Sequence, residues 1–235
     1  LDQGNLENQN SKKISKKFDS SSNILNQKSF CNDLIIEVEN LAKASQNISS
    51  LEKNIMNFKK FYSLKGSKKL VLGNGNPNSE VLFVSEPPSY EEEIEQRPYV
   101  GSSLELFDKI VESMGLVSLK KNNCNIFVIP SIPFRLVKTT DKKISDLELM
   151  KPFLKRYIEI ISPKYLIFIS KMPVNILGIN DFLKFKNEQG YLGKYLGIPT
   201  IEIEGIKSMI EDPHKKRKTW NNIKLMLKFM KKENE

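Results

Sequence analysis

Residues 70–116 read LVLGNGNPNSEVLFVSEPPSYEEEIEQRPYVGSSLELFDKIVESMGL. At the centre, Val81-Leu82-Phe83-Val84 is a run of β-branched and aromatic residues with turn formers before it and a Ser/Pro-rich loop after it. An apolar run without polar alternation suits a strand covered on both faces. Beyond the loop the period changes. Leu104, Phe107, Ile110, Val111 and Met114 recur every three or four residues, which predicts a helix over about 103–114. A buried strand, an acidic loop and an amphipathic helix in that order are the start of a parallel α/β fold.

The same alternation continues downstream. Strands are expected at Ile126-Phe127-Val128-Ile129, Leu166-Ile167-Phe168-Ile169 and Ile198 to Ile203, with helices over 145–161, 173–177 and 215–230. The fold class that follows is α/β: a three-layer α/β/α sandwich with a central four-stranded parallel sheet over residues 66–235. Ligands of such sheets sit at the carboxyl ends of the strands. Four segments are therefore of interest: Ser85 to Gly101, Pro130 to Thr140, Ser170 to Pro173 and Glu204 to Pro213. Upstream, Leu34, Ile35, Val38, Leu41 and Ala42, then Leu51, Ile55 and Phe58, have helical spacing, so residues 33–65 form a helical lead-in. Residues 1–32 contain 20 Ser, Asn, Gln or Lys, too few apolar groups to offset the entropy of ordering, and are expected to be a disordered arm.

Composition narrows the function classes. The 235 residues hold 37 Lys+Arg against 28 Asp+Glu, a net charge of +9. No apolar run reaches the roughly 18 residues of a membrane span, and the first residues lack the order of a secretory signal. Two cysteines, Cys31 and Cys124, cannot build a disulfide framework or a four-thiolate metal site. The expectation is a cytoplasmic monomer with no membrane contact. Only four basic residues are arginine, so part of the charge reflects a general lysine bias. It is nevertheless segregated: residues 80–116 carry nine acidic and two basic side chains, residues 205–235 nine basic and four acidic.

The opening stretch resembles the family 4 type of uracil-DNA glycosylase. Gly75-Asn76-Pro77, then Glu86 and Pro88, then Glu92-Glu93, then Arg97-Pro98-Tyr99-Val100-Gly101 match the family's ordered motifs. The likeness extends through Lys151-Pro152-Phe153-Leu154, Ser162-Pro163-Lys164, Gly197-Ile198-Pro199 and Lys216-Arg217 with Trp220, covering about residues 50–232. It implies a uracil-DNA glycosylase-like fold and a protein of the DNA base-excision repair class. If active, this would be a monofunctional glycosylase hydrolysing the N-glycosidic bond of uracil in DNA. Such an enzyme takes the base out of the stack, clamps it, and stabilises charge that develops on the departing ring.

Carried across residue by residue, the resemblance makes Glu86 and Glu92 the candidate catalytic carboxylates. Tyr99, with Pro87 and Pro88, becomes the candidate substrate-binding set. Pro87 replaces a small residue and removes a backbone N–H. The family's base-reading Asn falls on Pro130 and its His on Gly205; neither has a side chain able to donate. His214, the one histidine, lies nine residues further on. The family's iron-sulfur cysteines would fall at two positions near Ile55 to Phe61, at Phe134 and at Met150, and none is cysteine. No cofactor is therefore expected, and the space is expected to be filled by packing.

These substitutions imply uracil excision that is reduced or absent. The alternative is a catalytically silent DNA-binding or protein-interaction module on the same fold. For DNA contact, Met209 and Ile210 match the family's apolar wedge. Lys215, Lys216 and Arg217, with Lys207 and Lys218 nearby, are the candidate phosphate ligands.

Overall fold

The computed structural model describes residues 32–61, 69–136, 146–178, 186–187 and 190–233. The expected arm, with Cys31, lies outside the described residues except for residue 32, which begins the first helix. Helices α1 (residues 32–44) and α2 (Ile48–Asn57) come first. The core then runs β1 (Asn74–Gly75), β2 (Val81–Ser85), α3 (Tyr90–Glu95), α4 (Gly101–Ser113), β3 (Ile126–Pro130), α5 (Asp146–Ile161), β4 (Tyr165–Ile169) and α6 (Met172–Leu177). It closes with β5 (Lys186–Asn187), β6 (Gly190–Tyr195), β7 (Ile198–Ile203), α7 (Ile206–Glu211) and α8 (Lys215–Glu233).

The four expected strands form the parallel centre of the sheet, in the order β3-β2-β4-β7. Val81 is level with Ile126 on one side and Tyr165 on the other, and Leu166 is level with Thr200. Every residue of β2, β3 and β4 is buried. The observed sheet is wider than expected, with seven strands. The two-residue β1 pairs antiparallel with β3, and β6 pairs antiparallel with β7 and with β5. These additions stand on both edges of the parallel centre.

Alternation along the strands divides the core between two faces. Leu82 and Val84 point with Leu51, Ile55, Phe58, Phe61, Phe134 and Phe153 toward α1, α2, α5 and α6. Val81 and Phe83 point with Phe107, Val111, Ile206, Met209, Ile223 and Met226 toward α4, α7 and α8. Helix α2 is started by a capping box in which the Asn47 side chain accepts from Ser50 N at 2.8 Å. Glu52 on α2 accepts from the Tyr157 hydroxyl of α5 (3.1 Å) and from Gly73 N (3.3 Å), which ties the lead-in helices to the turn before β1. The Arg156 guanidinium donates twice to the Ser45 carbonyl, at 3.0 and 2.8 Å, and fastens the α1–α2 corner to α5. No helix among the described residues is long and apolar enough to cross a membrane.

Candidate functional site

The carboxyl ends of the parallel strands bring the expected segments together. Ser85 ends β2 level with Pro130 at the end of β3, and Ser131 N donates to Ser85 O at 2.8 Å. On the other side Ser170 N donates to Ile203 O at 2.9 Å, joining the ends of β4 and β7.

The β2 loop is held by its own acidic residues. Ser89 caps α3: its hydroxyl accepts from Glu92 N (3.2 Å) and its N–H donates to Glu92 Oε2 (2.6 Å). The other oxygen, Oε1, accepts from Tyr99 N at 3.0 Å. Tyr99 has a φ of +59°, a left-handed conformation that a non-glycine residue holds only where its surroundings enforce it. The buried Glu92 carboxylate therefore spends both oxygens on backbone amides. This candidate catalytic carboxylate thus braces the loop that carries Tyr99. Glu93, also buried, meets Arg135 Nε at 3.1 Å, and that guanidinium lies 5.5 Å from the centre of the Tyr90 ring.

Tyr99 itself is only 3% exposed. Its ring stacks on Phe107 with centroids 4.6 Å apart and 26° between planes, and Phe107 in turn meets Phe83 edge-on at 5.2 Å. The face turned to Phe107 is thus closed to a base. The hydroxyl is buried beside Ser85. Burial, and then the charges of Glu86 and Glu92, push its pKa well above the usual tyrosine value. Of the two prolines, Pro88 is buried and Pro87 half-buried.

Glu86 and Gly205 meet across the edge. Gly205 is the N-cap of α7 and has no side chain to cap with. A Cβ at this position would overlap Glu86 Oε2, so the carboxyl fills the volume that a side chain at 205 would need. Burial holds the Glu86 carboxyl above the usual carboxylate range, and the Lys207 backbone N–H and ammonium offset part of that effect. Its Oε1 has no hydrogen-bond partner, and neither has the buried Ser131 hydroxyl. Ser131, directly after Pro130, is a residue the sequence reading missed; continuing β3 by one position would have found it. Tyr90, 53% exposed on α3, is another, hidden in sequence by the acidic run that follows it.

The expected wedge divides. Met209 is fully buried in the core under α7, so its assignment to DNA contact is corrected; only Ile210, 40% exposed, is presented outward. A helix of six residues shows one face to the core and one to solvent, and adjacent positions separate accordingly. The basic residues divide too. Lys215 Nζ donates to Ser208 Oγ (2.6 Å) and Lys218 Nζ to Glu204 Oε1 (2.6 Å), while Lys207, Lys216 and Arg217 are exposed. His214 lies on the surface, its N–H donating to Asp212 Oδ1 at 3.1 Å.

At the positions where the resemblance implied a cluster, aromatic rings are in contact. Phe61 lies 4.9 Å from Phe58 and from Phe134 and 6.3 Å from Phe153, centroid to centroid, and Met150 is buried in the same core. Cys124 is at the opposite end of β3, its thiol 3.9 Å from Ile126 O. Among the described residues no group of three or more His, Cys, Asp or Glu is placed to hold a metal. Thioether and phenyl groups offer no thiolate, so the residues present do not fit an iron-sulfur cluster.

The architecture is a central sheet of mostly parallel strands with helices around it, and its strand-end loops bring carboxylates and aromatic rings together. The family model for the uracil DNA glycosylase superfamily matches residues 72–224, and the chain belongs to that superfamily. It is similar to a type-4 uracil-DNA glycosylase of Saccharolobus solfataricus, 28% identical over 148 residues, which are 62% of this chain and 64% of that protein. Similar proteins of the same description occur in Sulfurisphaera tokodaii (24% identity, 53% of this chain, 54% of that one) and Archaeoglobus fulgidus (22%, 56% and 64%). The chain thus spans less than two thirds of the length of each of these relatives.

Proposed function

We propose that this protein is a DNA-directed member of the base-excision repair class that works without a cofactor and excises uracil weakly or not at all. The observation that carries the reading is the Glu86 carboxyl in the volume beside Gly205. A histidine there would donate to the oxygen on which charge develops. Gly205 has no side chain to donate, and a carboxylate in its place opposes that charge. Loss of one such donor costs about a hundred- to a thousand-fold in rate. Pro130 at the end of β3 likewise offers no amide to read a base edge, and the Tyr99 face against Phe107 is covered.

The test is a gel assay for abasic sites on single- and double-stranded uracil-containing DNA, run beside salt-dependent binding of the same oligonucleotides. The expected result is binding that weakens with salt, with cleavable product forming at least about a hundred-fold more slowly than the donor-bearing chemistry would give. Rapid product formation would overturn the weak-excision reading. Absence of DNA binding at about 50 mM salt would overturn the DNA-directed one and favour a protein-interaction module.

A further inference from the structure

Helix α8 does more than close the second core layer. From Lys215 to Lys232 its sequence, KKRKTWNNIKLMLKFMKK, contains no carboxylate. Its inner face is fixed. Ile223 and Met226 are buried in the core, Asn222 Nδ2 donates to Glu202 O at 2.7 Å, and the Thr219 hydroxyl accepts from Glu204 N at 3.2 Å. The outer face therefore has a definite composition: Lys216, Arg217, Trp220, Asn221, Lys224, Lys228 and Lys231, all exposed. Among the described residues none of these five cations makes an ion pair. Trp220, the only tryptophan in the chain, stands among them 42% exposed. At 1.5 Å per residue, Arg217 and Lys231 are about 21 Å apart along the axis.

We propose that this stripe is a track for an unpaired nucleic-acid strand, which stacks a base on Trp220 and lays its phosphates along Lys224, Lys228 and Lys231. The proposal rests on the DNA-directed reading and extends it: the strand that reaches Lys216 and Arg217 in the first turn of α8 continues down the flank of the molecule. An exposed indole among unpaired cations is the combination that binds single strands without sequence preference, because every base has a face to stack. A duplex keeps its bases stacked on one another and leaves the indole nothing to take. A bilayer surface fits less well, since an interfacial helix must sink its apolar face into the lipid, and the apolar face of α8 is already in the protein core.

Because Trp220 is the sole tryptophan, emission at about 350 nm reports this site alone. The full chain is titrated with oligothymidylate of about 15 nucleotides at about 50 mM salt, with binding followed in parallel by anisotropy of a labelled oligonucleotide. Quenching of Trp220 should track binding. Trp220→Ala should weaken single-strand binding about 5- to 100-fold, with Trp220→Phe recovering most of it. The pair Lys224→Glu, Lys228→Glu should flatten the salt slope by about two units. Binding without any change in Trp220 emission, or with both variants behaving as the parent, overturns the track. If duplex binding then still depends on Lys216 and Arg217, the DNA-directed reading stands and the track alone falls; if neither duplex nor single strand binds, both fall. A response to phosphatidylserine vesicles with none to oligothymidylate gives the stripe to a membrane and also overturns the proposal.

Discussion

Gly205 and Glu86 compete for one small volume, and the competition is measurable. Gly205→Ala should cost about 1 kcal/mol as the carboxyl is pushed aside, and the cost should largely vanish in a Glu86→Ala background. Thermal or denaturant unfolding of the four proteins in that cycle gives the coupling directly; equal costs in both backgrounds would show that the two groups do not share the space. The same carboxyl sets a pH dependence. Its pKa is raised in the fold, so the native state holds the proton more tightly than the unfolded chain does. The stability this provides is present below the ordinary glutamate range and is lost as pH rises through the raised value. Glu86→Gln, which cannot ionise, should therefore unfold at a higher temperature than the parent near pH 7, and the gap should close toward about pH 3.5. Glu86, Gly205 and Pro130 could be singled out in the sequence as neighbouring strand-end positions, and the fold brings them to that end of the sheet. The direct contact of the Glu86 carboxyl with Gly205 was not legible, since a glutamate side chain can turn several ways from one backbone position. The bracing role of Glu92 was not legible either: a carboxylate looks the same in sequence whether it faces a substrate or a pair of amides.

The elements of the sheet separate by what supports them. The four parallel strands and helices α4, α5 and α8 were readable because each carries a sustained apolar pattern. The strands β1 and β5 are two residues long, β6 has the glycine-bearing sequence Gly-Tyr-Leu-Gly-Lys-Tyr, and α3 and α7 are six-residue turns of helix. None of these carries an apolar run or period of its own, whereas the equally short α6 was expected from the apolar residues that follow Pro173; tertiary pairing makes the others. Between elements, the rings of Phe58, Phe61, Phe134 and Phe153 join α2, the β3 loop and α5. Phe61→Ala should lower stability by about 3–5 kcal/mol, read by denaturant unfolding. An iron chelator should leave the melting temperature of the parent unchanged, and stoichiometric iron and sulfide in anaerobically purified protein would contradict that. Glu92→Ala removes the acceptor for Ser89 N and Tyr99 N together. It should cost about 1–3 kcal/mol and speed hydrogen exchange at Tyr99.

Across the whole molecule, the charge asymmetry seen along the chain maps onto two sides of one layer. The acidic α3 and α4 follow β2, while α8 packs on the same face of the sheet over β7 and β6, toward the other edge. Reversing both Lys216 and Arg217 to Glu should weaken duplex binding for all sequences alike. The salt slope should fall by about one unit for each phosphate no longer held, as measured by anisotropy over a range of salt. Unchanged affinity would mark these cations as ordinary solvated surface.

The latch between Arg156 and the Ser45 carbonyl joins residues 111 apart in sequence, and Tyr157 reaches Glu52 across 105. During synthesis α1 and α2 leave the ribosome long before the helix that covers them exists, and Leu51, Ile55 and Phe58 wait for about a hundred residues of elongation before α5 can cover them. The first helices to be made thus wait for a partner far along the chain, so folding should be slow to commit and sensitive to chaperones, with early steps confined to local turns of helix.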